Sequence, residues 1–118
     1  MPVTPPIIAS FFHAMQAGAA AEKEREGLFA DDAVYIEPFS GAPTTHKGKA
    51  AIMETMRAGW KYPLPDMSIQ LDRVDVSGAD IQVAWTCRSP GLPGGVGRGI
   101  NHFTVSDGKI TRLETRFA

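Results

Sequence analysis

The sequence predicts an α+β domain in which N-terminal helices pack on a strongly curved, mostly antiparallel sheet. Three observations carry that expectation. Apolar residues recur with helical spacing in the first half, at Ile7, Ile8, Phe11, Phe12, Ala14 and Met15 and again at Ile52, Met53, Met56 and Trp60. The second half instead holds four strand-like runs with no helix among them. With 118 residues there is room for one domain, 1–118, burying about two thirds of the surface of its unfolded chain.

Taken in order, Thr4 before Pro5-Pro6 predicts an N-cap and first helical turn, and Gly18 predicts the end of that helix. A second, shorter helix is expected over Ala20 to Phe29, with Glu22-Lys23-Glu24-Arg25-Glu26 as a solvated face. Asp31 and Asp32 then read as turn and helix-end residues ahead of a short strand, Ala33 to Glu37. Along it Val34 and Ile36 face one way, and Tyr35 and Glu37 the other. Ser40 to Lys47 has the composition of a loop, Lys49 to about Lys61 is helical, and Pro63 and Pro65 end that helix.

Met67-Ile69-Leu71 alternates strictly and Val74-Val76 resumes out of phase, which predicts a bulge near Asp72-Arg73. Gly78-Ala79-Asp80 turns into a strand on which Ile81, Val83, Trp85 and Cys87 share a face. Ser89 to Gly95 is a Pro/Gly loop, Val96 to Ser106 a strand, Asp107-Gly108 a hairpin turn, and Ile110 to Phe117 the last strand.

Composition narrows the function. A net charge of -1, with no basic stripe interleaved with aromatics, argues against a nucleic-acid partner. The first residues carry neither a charged n-region nor a long apolar run, so neither a signal peptide nor a membrane span is expected. Cys87 is the one cysteine, which fits a reducing, cytoplasmic setting. His13, His46 and His102 show no ligand spacing, so no metal site is expected. Gly94-Gly95-Val96-Gly97-Arg98-Gly99 mimics a dinucleotide fingerprint, but it joins two strands with no helix behind it; no cofactor is implied.

Glu37 is the odd residue. A carboxylate ending an apolar strand against a proline must face a cavity or water. Three segments extend its context: Phe29-Ala30-Asp31-Asp32-Ala33 with Glu37-Pro38, Gly48-Lys49-Ala50-Ala51-Ile52, and Ile100-Asn101-His102-Phe103 with Asp107-Gly108-Lys109. Together they resemble the SnoaL-like, nuclear transport factor 2-like superfamily, and within it the bacterial ketosteroid isomerases. The resemblance implies a cone-shaped NTF2-like fold with a small-molecule site at its open end.

It also implies roles. The isomerases use a carboxylate base before that proline and an oxyanion hole of a tyrosine and a protonated aspartic acid. Matched by position, the base falls on Glu37, the oxyanion acid on Asn101, and the two family tyrosines on Phe11 and Met56. Asn101 can donate through its amide without a pKa shift, whereas the hydroxyl donor at Phe11 is lost. Losing one oxyanion donor lowers turnover by roughly 10² to 10³. Tyr35, on Glu37's face, is the expected replacement, giving a catalytic set of Glu37, Asn101 and Tyr35. Phe11, Met56, Trp60, Trp85 and Phe103 are expected as core and substrate-binding wall.

The expected activity is thus cofactor-free proton transfer next to a carbonyl of a small apolar ligand, weak or altered on steroids. A polyketide cyclase or epoxide hydrolase of the same fold, and a non-catalytic small-molecule-binding module, are the alternatives. A homodimer through the strand face carrying His102 and Thr104 is the expected assembly.

Overall fold

The computed structural model describes residues 4–39, 41–60 and 64–118. Helix α1 (Pro6–Ala17) runs through a 3-10 turn (Gly18–Ala21) into α2 (Glu22–Glu26); strands β1 (Phe29–Glu37) and β2 (Thr44–Lys47) precede α3 (Lys49–Trp60). Strands β3 (Ser68–Ser77), β4 (Asp80–Arg88), β5 (Val96–Ser106) and β6 (Lys109–Phe117) complete one six-stranded sheet. Its order is β2-β1-β6-β5-β4-β3, antiparallel throughout except for the parallel β1–β6 pair. Among the described helices none is long and apolar enough to cross a membrane.

The sheet curves because its ladders are interrupted. Register shifts fall between Phe29 and Val34 of β1, between Leu71 and Arg73 of β3 as the alternation predicts, and between Thr104 and Val105 of β5. Each irregularity bends its strand and adds twist. Asp107 and Gly108 both take positive φ, 52° and 75°, which is the geometry of a tight I′ hairpin between β5 and β6.

The helices cover one face. Ile8, Phe11 and Phe12 of α1 and Ile52 and Met56 of α3 meet Phe29, Tyr35, Ile81, Val83, Phe103, Ile110 and Leu113 of the sheet. Phe11 packs edge-to-face on Phe12, Phe29 and Phe103 at centroid separations of 5.2, 6.3 and 5.1 Å. Such pairs add about 0.5–1.5 kcal/mol each beyond the area they bury. The helical spacing therefore locates the core correctly.

Several local expectations are corrected. Pro5, not Thr4, takes the N-cap of α1, and no side chain caps it. Pro6 sits at the first helical position, where its missing N–H is harmless and holds the preceding residue extended. The second helix is one short turn, Glu22–Glu26, and Leu28-Phe29 already leads into β1.

Asp31 and Asp32 are not turn residues: they lie exposed in β1, inside the stretch where the register against β6 shifts. Thr44–Lys47 is a strand rather than loop, because its backbone completes the open edge of β1, although four residues show too little alternation to announce it. The expected loop residue Ser40 and the expected helix-ending Pro63 lie outside the described residues.

The supposed solvated face of α2 also fails at one position. Arg25 is fully buried and donates to the carbonyls of Ala14 at 3.1 Å and Gly18 at 2.7 Å. Ala14 lies in the last turn of α1, where its carbonyl also accepts from the Gly18 N–H, and Gly18 is the C-cap residue. The guanidinium therefore caps α1 from inside the fold, where the helix dipole favours a cation.

Candidate active site

Strand alternation and register assemble the site. Tyr35 and Glu37 of β1 point to the helix-covered face, as alternation requires, and so do Phe103 and Asn101 of β5. Glu37 pairs with Thr44 of β2, Asn101 pairs with Thr115 of β6, and Val83 of β4 pairs with Asn101. The parallel pairing of Ile36 with Glu114 carries Glu37 alongside Thr115. The outcome is a row of polar side chains across the inner face, Glu37, Thr115 and Asn101, at 5%, 5% and 4% exposure.

On one side of this row lies the apolar row of Tyr35, Leu113, Phe103 and Ile81. On the other lie Trp85 and Gly99, opposite each other on β4 and β5. A Cβ on Gly99 would come within 2.2 Å of the Trp85 indole, so only glycine lets the ring lie flat over β5. Held there, Trp85 donates from Nε1 to Asn101 Oδ1 at 3.0 Å. That bond fixes the amide orientation, because the indole N–H can only donate. The bond uses the amide oxygen and leaves Nδ2 as the end of the side chain not engaged by Trp85.

Glu37 is buried and its carboxylate is held at both oxygens. The Phe39 backbone N–H donates to Oε1 at 2.9 Å, and His46 Nε2 lies 3.0 Å from Oε2. His46 is itself met by Thr55 of α3, whose Oγ1 is 3.0 Å from Nδ1. The His46 side chain is 19% exposed against 6% for Glu37, so the imidazole forms the solvent side of the couple. The acid therefore faces neither an empty hollow nor bulk water: it faces a histidine.

Tyr35 stands beside this couple, its ring 6.0 Å from that of His46. Burial, and then the Glu37 carboxylate, push its phenol above the ordinary tyrosine value, against a hydrogen bond with Thr115 that pulls the other way. Tyr35 is thus a neutral hydroxyl across the physiological range, able to donate but not to act as a base. Burial likewise pushes the Cys87 thiol upward, which makes it a poor nucleophile.

The expected wall residues divide. Phe11, Met56 and Phe103 are buried at 2%, 5% and 0% and belong to the hydrophobic core. Trp85 is half-buried at its edge. The side chain of Trp60, the last residue of α3, lies outside those described. The two best-formed clefts among the described residues are elsewhere: one of about 350 Å³ beside Thr4 and the β3 bulge, and one of about 360 Å³ between Ile36, the Pro38–Pro43 segment and Glu114 to Phe117. Neither includes Tyr35, Glu37 or Asn101.

Sequence reasoning missed His46 and Thr55. With 44–47 read as a loop, His46 had no face. Once it is a strand opposite Tyr35, alternation puts Thr44 and His46 on the inner side.

The comparisons with known proteins agree with this architecture. A family model described as a SnoaL-like domain matches residues 8–113. A search of curated proteins gives no match. Among solved structures, a proposed polyketide cyclase from Sinorhizobium meliloti is similar at 26% identity and a TM-score of 0.78, covering 96% of this chain and 95% of its own. A proposed ketosteroid isomerase from Kribbella flavida is similar at 19% identity and a TM-score of 0.73, covering 95% of this chain and 75% of its own. A protein of ketosteroid isomerase-like fold from Catenulispora acidiphila, in complex with trimethylamine, is similar at 14% identity and a TM-score of 0.77, covering 98% and 88%. By the family match across nearly its whole length, with the helix-on-curved-sheet architecture that carries the polar row, the chain belongs to the SnoaL-like domain family.

Proposed function

We propose that this protein catalyses cofactor-free proton transfer next to the carbonyl of a small apolar substrate. Glu37 serves as general base, Asn101 as oxyanion donor, and Tyr35 as a second donor. The observation that supports it is the polar row itself: a buried carboxylate and an amide whose oxygen is held by Trp85, on one face of one sheet. Their strands lie on either side of β6, so the two side chains project from one face with Thr115 between them. A base within reach of the proton and a donor where negative charge develops are the two requirements of enolisation.

The likeness to the proposed cyclase, at 26% identity over nearly the full length of both chains, favours a second reading with the same base. There the enolate would attack a second carbonyl of the same molecule and close a ring. The two are separated by substrate: a β,γ-unsaturated ketone for isomerisation, a linear polyketone for cyclisation. Following the absorbance of the conjugated ketone with the wild type, Glu37→Gln and Asn101→Ala tests the first. Equal slopes in all three would reduce the chain to a binding module.

As the assembly, a homodimer through the outer sheet face carrying His102 and Thr104 is the reading to test by gel filtration. That face is only half-buried, and Thr104 and His102 there contact Asp80 of the neighbouring strand. Elution at the monomer volume would remove it.

A further inference from the structure

We infer that His46 is the positioning residue of this site: it holds the Glu37 carboxylate in the orientation from which a substrate proton is taken. The inference rests on the general-base reading of Glu37 and adds to it a residue on a different strand. Its basis is geometric. A carboxylate at the end of a strand, followed by a segment rich in proline and glycine, has a long rotatable side chain and no reason to keep one orientation. Two donors on opposite oxygens, Phe39 N–H on Oε1 and His46 Nε2 on Oε2, fix its plane.

The ring is prepared for that task. Thr55 Oγ1 lies closer to Nδ1, at 3.0 Å, than to Nε2, at 3.4 Å. Oε2 of an ionised glutamate can only accept, so Nε2 donates to it, and the Thr55 hydroxyl meets the ring at Nδ1. The imidazole thus ties the edge strand β2 to a carboxylate of β1 and a hydroxyl of α3. The groups packed on the ring are Glu37 and Tyr35 from β1 and Thr55 from α3. His46 acts through Glu37 and is not itself the group that takes the proton.

The test uses the full chain and 3-cyclohexenone as probe, whose conversion to the conjugated ketone is read by absorbance. His46→Phe keeps a ring but removes the donor, and His46→Gln restores an N–H of similar reach. His46→Phe should lower kcat by about 10²-fold, the effect of a catalytic group displaced by about 1 Å, with KM little changed. His46→Gln should recover most of the rate. On a Glu37→Gln background His46→Phe should have no further effect, because residues acting through one group are non-additive.

A wild-type kcat in His46→Phe, beside an inactive Glu37→Gln, would overturn the positioning role and leave the base in place. A Glu37→Gln chain as fast as the wild type, or a wild type inert on the probe, would overturn the general-base reading and this inference with it. Ring ¹⁵N shifts give a readout independent of turnover: a proton on Nε2 in the wild type is expected, and an unprotonated Nε2 contradicts the inference.

Discussion

Among the described residues, two side chains from the Arg, Lys, Asp and Glu set are buried, Arg25 and Glu37, and they are held in opposite ways. Arg25, under the corner between α1 and α2, is fully buried, and its bonds go to main-chain carbonyls of Ala14 and Gly18 and to the Met15 sulfur at 3.4 Å. Glu37, on the inner face of the sheet, is held by one main-chain N–H and by a titratable side chain that reaches solvent. Burial pulls the Arg25 guanidinium down to about 10, so it remains a cation at neutral pH. Arg25 is held mainly by backbone at a helix end, which suits a fastener. Glu37 is held in part by a partly exposed histidine, in a row with Asn101, which suits the role proposed for it.

The variants that break this contrast should give opposite signatures. Glu37→Gln, the largest functional change, should lower turnover by about 10³ while leaving the melting temperature within a few degrees, measured by the ketone assay beside calorimetry. Arg25→Ala should do the reverse. Two charge-assisted bonds to the end of α1 go, along with the buried volume, and stability should fall by about 3 kcal/mol in urea titration with kcat of the folded fraction unchanged. If Arg25→Ala abolishes turnover without unfolding the chain, the division between fastener and reagent is wrong.

Asn101→Ala sharpens the comparison, because this side chain does both jobs. Turnover should fall by about 10² through the lost donor, and stability by about 1–3 kcal/mol through a Trp85 indole N–H left with no acceptor. Gly99→Ala should cost about 1–3 kcal/mol by pushing Trp85 off β5, and should lower turnover because Asn101 then loses its orienting partner.

The smallest effect is alkaline. Tyr35 is held above its unfolded value, so the stability it contributes is complete below a pH of about 10 and declines as the unfolded chain alone ionises above it. Tyr35→Phe should flatten the loss of stability between pH 10 and 11 seen by circular dichroism, to the extent of about 1 kcal/mol per pH unit. An unchanged slope would mean that Tyr35 is not buried beside Glu37.

The legible part of this molecule was whatever repeats. Helical spacing at Ile52, Met53 and Met56, alternation along β4, the out-of-phase Val74 that marks the β3 bulge, and the Asp107-Gly108 turn are all local signals. Strand alternation was also enough to put Glu37 with Tyr35, and the family resemblance put Asn101 on the same face.

What escaped were single residues whose meaning is set by distant neighbours. Arg25 looks like any charge in a run of five until the end of α1 arrives beneath it. His46 looks like a loop histidine until β1 supplies a partner strand. Thr55 is one polar position on a helix until that helix lies over β2. The edge strand supplies the partner of Glu37, and four residues are too few to declare themselves.

The central claim, that a buried Glu37 takes a proton from carbon across from Asn101, is tested most directly by deuterium uptake. The wild type and Glu37→Gln are incubated with cyclohexanone in deuterated buffer, and the carbon next to the carbonyl is followed by proton nuclear magnetic resonance. Enzyme-dependent loss of that signal with the wild type, and loss at the buffer rate with Glu37→Gln, is the predicted result. Equal uptake with both proteins would contradict the claim and leave the polar row as architecture alone.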